Sequence, residues 1–148
     1  MMFNRLLLSV LLLTGVAPVA FAYTCPDWVK QLPAKQDYKG DIVYEIIGLP
    51  QSKDPVTSTF KFRPKNCTVV GNYTYFDTLN QRQVTGQFSA IQPRADRKLD
   101  RKLNMVWHDQ YGFGLLDIQF DPPLKSFSGK WGAPYTNEHA GKWTGNVQ

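Results

Sequence analysis

From Gly40 onward, hydrophobic and polar residues alternate with a period of two, and turn residues interrupt the alternation at short intervals. Successive side chains of an extended strand point to opposite faces, so this pattern predicts half-buried β-strands. Eight segments follow: 41–48, 56–63, 67–76, 83–91, 101–108, 112–120, 126–133 and 141–147. In the second, Val56, Phe60 and Phe62 share one face, while Thr57, Thr59, Lys61 and Arg63 share the other. In the fourth, Val84, Gly86, Phe88 and Ala90 oppose Thr85, Gln87 and Ser89. Leu103, Met105 and Trp107 fall together in the fifth, and Leu116, Ile118 and Phe120 in the sixth. In the eighth, Trp143, Gly145 and Val147 oppose Lys142, Thr144 and Asn146.

The links are short. Asp109-Gln110-Tyr111 joins segments five and six, and Asp121 to Lys125, with two prolines, joins six and seven. Short links favour antiparallel neighbours, hence a meander, and eight meandering strands can close on themselves and leave no edge. The expected fold is all-β: an eight-stranded antiparallel up-and-down barrel, preceded by a short helical turn between Pro26 and Leu32 that Pro33 ends. A two-sheet β-sandwich is the alternative, because the same alternation serves either. Ten prolines and eleven glycines argue against a helical bundle.

Six glycines, Gly48, Gly71, Gly86, Gly114, Gly129 and Gly145, fall on the apolar parity of their segments. Inward glycines let strands bend sharply or leave space inside, and the alternation does not separate the two uses. The interior parity is also aromatic: Tyr44, Phe60, Phe62, Tyr73, Tyr75, Phe88, Trp107, Phe127, Trp131 and Trp143. A filled core accounts for most of these. A pocket with stacking walls is the functional reading, and its candidate residues are Tyr44, Phe62, Tyr73, Phe88, Trp107, Trp131 and Trp143.

Two Gly-Lys-Trp triplets, Gly129-Lys130-Trp131 and Gly141-Lys142-Trp143, lie twelve residues apart. Over residues 40–148 the chain resembles the lipocalin and avidin group of eight-stranded barrels. Lipocalins carry Gly-x-Trp at the first strand, whereas these triplets stand at the end of the chain. The resemblance implies a barrel with an internal pocket. It names no ligand.

Residues 1–22 read as a secretory signal peptide. Arg5 gives the positive start, Leu6 to Leu13 an apolar run broken only by Ser9, and Ala20-Phe21-Ala22 the small residues of a cleavage site. Cleavage is expected before Tyr23, with 23–39 a cap segment and 40–148 the barrel domain. No later apolar run is long enough to span a membrane. The expected location is periplasmic or extracellular. There, the two cysteines, Cys25 and Cys67, are expected to pair, closing a loop of about 43 residues. Asn66-Cys67-Thr68 and Asn72-Tyr73-Thr74 are formal glycosylation sequons.

Lys and Arg number 17 against 12 Asp and Glu, a net charge of +5. The excess concentrates at 94–102, where Asp-Arg-Lys-Leu occurs twice in tandem. Arg94, Arg97, Lys98, Arg101 and Lys102 form either a solvated hairpin loop or a basic handle for an anionic envelope or host macromolecule. No aromatic residue is interleaved there, which argues against nucleic acid.

Catalytic signals are weak. His108-Asp109 and Glu138-His139 lack regular metal-ligand spacing, so neither a metal nor any other cofactor is expected. Ser89, Ser126 and Ser128 lack hydrolase motifs. Asp117 and Glu45 fall on the polar parity, away from any interior where paired carboxylates could act. The expected function is a non-enzymatic binding protein that holds a small apolar or aromatic ligand or contacts an envelope or host partner. The alternatives are a loop-mediated inhibitor or adhesin-like protein, and a small hydrolase.

Overall fold

The computed structural model describes residues 25–44, 51–63, 66–90, 101–132 and 141–148. One short helix, α1 (Asp27–Lys30), precedes eight strands among these residues: β1 (Lys35–Tyr44), β2 (Ser52–Arg63), β3 (Thr68–Asp77), β4 (Arg82–Ala90), β5 (Lys102–Asp109), β6 (Gly112–Phe120), β7 (Ser126–Gly132) and β8 (Gly141–Asn146). Each strand pairs with the next, and β8 returns to β1, giving a closed barrel. Every pairing is antiparallel, including the closing one, where Ile42 faces Trp143 and Tyr44 faces Gly141. The barrel is therefore the architecture, and the sandwich is excluded.

The strands follow the predicted segments closely except at β1. That strand runs Lys35–Tyr44 instead of 41–48. Its first half, Lys-Gln-Asp-Tyr-Lys, holds a single apolar residue, so period two gives no signal there. Residues 45–48 of the expected segment, Glu45 and Gly48 among them, lie outside the described residues, as do residues 1–22.

Tyr38 is fully buried at the centre of the interior. Its ring meets Phe60, Phe120 and Phe127 at centroid distances of 5.4, 5.8 and 5.4 Å. Phe60 in turn meets Phe88 at 4.7 Å. Such tilted and edge-on contacts add to the area each ring buries. The Tyr38 hydroxyl donates to the Leu124 carbonyl at 2.7 Å. Leu124 takes a left-handed φ of 58°, a costly conformation for a branched side chain, and this buried hydrogen bond helps to hold it.

The helix closes this end of the barrel. Pro26 precedes its first turn, where Asp27 sits against the exposed positive end of the backbone and pairs with Lys30 at 3.0 Å. Trp28, Val29 and Leu32 are buried, with Trp28 6.3 Å from Phe120. The Cys25–Cys67 disulfide, spanning a sequence separation of 42, ties the leading end of the helix to the start of β3. A loop of that size corresponds to about 4 kcal/mol in the chain-entropy model.

The five described glycines of the predicted set face inward, and the space each leaves is filled. Each sits opposite a large side chain on the next strand: Gly71 opposite Phe88, Gly86 opposite Tyr73, Gly114 opposite Trp107, Gly129 opposite Ile118 and Gly145 opposite Phe127. A Cβ at Gly86 would overlap the Tyr73 ring, and one at Gly145 the Phe127 ring. At four of them the missing side chain is thus replaced by the neighbour's ring lying across the strand, an arrangement also used to cover edge glycines in designed sheets, and at Gly129 the Ile118 side chain takes the space.

Candidate functional site

The opposite end is open. Where β1, β3, β5 and β7 finish and β2, β4, β6 and β8 begin, inward positions surround a cavity of about 220 Å³. Its walls are the indoles of Trp107, Trp131 and Trp143, the phenols of Tyr44, Tyr73, Tyr75 and Tyr111, and the aliphatic Ile42 and Leu79. Asp77, Asn80 and Asp109 supply polar groups at the rim. Trp143 stands edge-on to Tyr73 at 4.6 Å, and Trp107 edge-on to Trp131 at 5.9 Å.

Each of the three indole N–H groups is already satisfied. Trp107 donates to the Gly132 carbonyl at 3.3 Å, Trp131 to the Val43 carbonyl at 3.3 Å and Trp143 to Ser58 Oγ at 3.1 Å. These bonds fix the rings and leave ring surface facing the cavity.

Three carboxylates each take a tyrosine hydroxyl. Tyr44 donates to Asp54, Tyr111 to Asp77, and Tyr73 to Asp109 at 2.7 Å. Asp54 also accepts from Thr78 Oγ1 at 2.6 Å, and Asp77 from the Asn80 backbone N–H at 2.9 Å and its Nδ2 at 2.8 Å. The Tyr111 N–H donates to Asp109 at 2.8 Å within the β5–β6 turn, and the Tyr73–Asp109 and Tyr111–Asp77 bonds tie that turn to β3 through both of its ends. Arg82 Nε donates to the Tyr111 hydroxyl at 2.8 Å, and the guanidinium lies 4.6 Å from the centre of that ring.

These contacts set the protonation of the site. Burial is the main reason the Tyr44 hydroxyl is pushed up to about 12, with its hydrogen bond to Asp54 acting the same way. Burial and Asp109 push Tyr73 further still, and burial followed by the Asp109 and Asp77 charges raises Tyr75. Tyr44, Tyr73 and Tyr75 are therefore neutral donors at physiological pH. For Asp77, burial acts upward, but the hydrogen bonds from Tyr111 and Asn80 outweigh it and hold the carboxyl below its usual range.

Of the seven candidate pocket residues, the structure brings Tyr44, Tyr73, Trp107, Trp131 and Trp143 together around the cavity. Phe62 and Phe88 face inward but belong to the closed core. Arg94, Arg97 and Lys98 lie outside the described residues; Arg101 and Lys102 stand at the helix-closed end, where the Phe120 N–H donates to the Arg101 carbonyl at 3.0 Å. His108 is exposed on the outer wall, and His139 lies outside the described residues. Ser89 and Ser128 are exposed on the outer wall, and Asp117 also faces outward. No group of three or more His, Cys, Asp or Glu among the described residues could hold a metal ion.

The three inward carboxylates were missed, although a signal existed. Asp54 shares parity with Val56 and Phe60, Asp77 with Tyr73 and Tyr75, and Asp109 with Met105 and Trp107. Each lies one alternation step beyond the apolar run of its strand.

Fold and cavity together define a closed antiparallel eight-stranded barrel, plugged at one end and aromatic-walled at the other. No family model matches the chain, and neither a curated protein nor a solved structure matches it.

Proposed function

We propose that the protein is an exported, non-enzymatic binding protein whose barrel mouth holds a small ligand with one flat apolar ring. The observation that carries this reading is the cavity itself: three indoles and four phenols line an opening in a barrel whose other end is filled. Its volume of about 220 Å³ supports a size class. A dry cavity of about 150 Å³ admits benzene. Pockets for drug-sized molecules run from about 300 to 1,000 Å³. A single substituted ring falls between the two.

Tyr75 supplies a hydrogen-bond donor, because its hydroxyl has no partner among the described residues and its ring lines the cavity. Export is supported by the disulfide, which suits an oxidising compartment. The outer wall is mostly polar, the reverse of a lipid-facing barrel. A loop-mediated inhibitor or adhesin-like protein would need no such cavity. A small hydrolase would need an aligned nucleophile, histidine and carboxylate; His108 and Ser89 line a depression on the outer wall, separate from this cavity.

The test is a fragment titration followed by tryptophan fluorescence and by NMR, using substituted single-ring compounds. Wild type is expected to bind some of them saturably. Tyr75→Phe should weaken those with an acceptor, and Trp131→Leu should abolish binding. Binding that survives Trp131→Leu unchanged would place the ligand elsewhere and sink the proposal.

A further inference from the structure

We propose that the ligand of this cavity is an organic cation, a quaternary ammonium or protonated amine borne on the small apolar group. The inference rests on the ligand-binding reading above and adds the charge.

The walls are electron-rich faces. An aromatic ring carries negative potential over its face, so a cation within about 6 Å of the centre is attracted, most strongly where water is excluded. Tyr44, Tyr73 and Tyr111 each donate a proton to a carboxylate. Such a bond polarises the phenol and draws electron density toward its oxygen and ring. The carboxylates of Asp77 and Asp109 add negative charge at the lining itself, and Asp54 stands just behind Tyr44.

No lysine or arginine lines the cavity among the described residues. Lys53 points to the outer wall, where it pairs with Asp41 at 3.0 Å, and Lys142 is exposed there. Arg82 is the one guanidinium at the described rim, and it already lies over a cavity ring, that of Tyr111, at 4.6 Å. The mouth thus displays a cation–π contact made by the protein's own side chain. An anionic ligand would meet carboxylates here with no basic group in the lining to receive it. A neutral one would leave the charge of the rim unused.

The test compares three probes of nearly equal shape: para-hydroxyphenyltrimethylammonium, the neutral para-tert-butylphenol and the anionic para-hydroxybenzenesulfonate. Each is titrated against the oxidised full-length exported protein and followed by tryptophan fluorescence. The cation is expected to bind at least about tenfold tighter than the neutral probe, the ratio a desolvated cation–π contact supplies. Asp109→Asn keeps a hydrogen-bonding group beside Tyr73 and removes the charge. It should lower affinity for the cation several-fold more than affinity for the neutral probe. Should Asp109→Asn fail to fold, Arg82→Gln serves instead. Removing that competing guanidinium should raise cation affinity and leave the neutral probe unchanged.

If the neutral or anionic probe binds as tightly as the cation, the charge assignment falls while the ligand-binding reading stands. If the cation binds but neither variant shifts it, the carboxylates and Arg82 play no part and the assignment falls as well. If none of the three binds at millimolar concentration, both readings fall together.

Discussion

The two ends of this barrel use the same residue types for opposite purposes. At the helix end, Tyr38, Phe60, Phe120 and Phe127 pack against one another, and α1 seals them from water. That end even tolerates a buried Trp28 Nε1 with no hydrogen-bond partner among the described residues. At the mouth, Trp107, Trp131 and Trp143 all have their N–H groups bonded, and three phenols are tied to carboxylates. Apolar packing fills space whatever the exact pairing, so a sealed end can carry an occasional polar loss of about 1–3 kcal/mol. A site must instead hold its walls in place with nothing packed between them, and directional bonds do that.

The contrast is broken most forcefully by truncating one ring at each end. Phe120 is 2% exposed and touches Trp28, Tyr38, Phe60 and Phe127. Phe120→Ala is expected to cost about 3–5 kcal/mol in a urea unfolding midpoint, while the protein that remains folded binds fragments normally. Trp131→Ala, at a half-buried mouth position, should cost only about 1–2 kcal/mol and abolish fragment binding. Equal losses of stability and binding in both variants would show that the two ends are one cooperative unit.

A finer cut comes from two inward glycines. A Cβ at Gly129 would sit 2.7 Å from both the Asp117 carbonyl oxygen and Ile118 Cγ2, and one at Gly86 would overlap the Tyr73 ring. Gly129→Leu and Gly86→Leu should each cost about 1–3 kcal/mol by overpacking. Only Gly86→Leu should also lose fragment binding, because displacing Tyr73 breaks its bond to Asp109 at the mouth. Denaturant midpoints and fragment titrations of the two variants check this.

The smallest effect expected is on pH dependence, where both ends act in the same direction. Burial raises Tyr38 at the sealed end to about 12, and Tyr44 at the mouth reaches about 12 as well. The ordinary value for tyrosine is about 10. The folded chain holds these protons more tightly than the unfolded one. Their contribution to stability is therefore complete below pH about 10 and is lost progressively as the pH rises through about 12. Phenolate absorbance and unfolding midpoints across that window should move together; early ionisation of Tyr38, isolated by comparison with Tyr38→Phe, would contradict its burial.

Much of the barrel was legible because alternation is a local signal. Seven of the eight strands were visible as runs in which each inward residue announces the next. β1 was displaced because Tyr38 is flanked by Lys39, Asp37, Gln36 and Lys35, and one apolar residue cannot establish a period. The mouth was half legible. Its rings stood out as inward aromatics, and the disulfide followed from an even cysteine count in a chain read as exported. Asp54, Asp77 and Asp109 were not seen, since a charged residue at a strand end reads by itself as the start of a solvated turn. What makes them internal is the partner each finds on another element: Tyr44 on β1 for Asp54, Tyr111 in the β5–β6 turn for Asp77, and Tyr73 on β3 for Asp109. Such pairings are a property of the closed sheet, and on the single strand only the inward parity of each Asp points to them.

The rings laid over glycines bear on how the chain finds its alignment. Simple alternation is blind to a slip of two residues, which returns every apolar side chain to the inside. The pairs Gly71–Phe88 and Tyr73–Gly86 on β3 and β4 are not blind to it. A slip one way would set Tyr73 against Phe88, two rings competing for one rung; the other way would set Gly71 against Gly86 and leave that rung empty. Trp107–Gly114 and Phe127–Gly145 impose the same discipline on later hairpins. Large and small residues thus act as the teeth of a key, and a misaligned barrel that an even alternation would permit carries a clash or a gap in these hairpins.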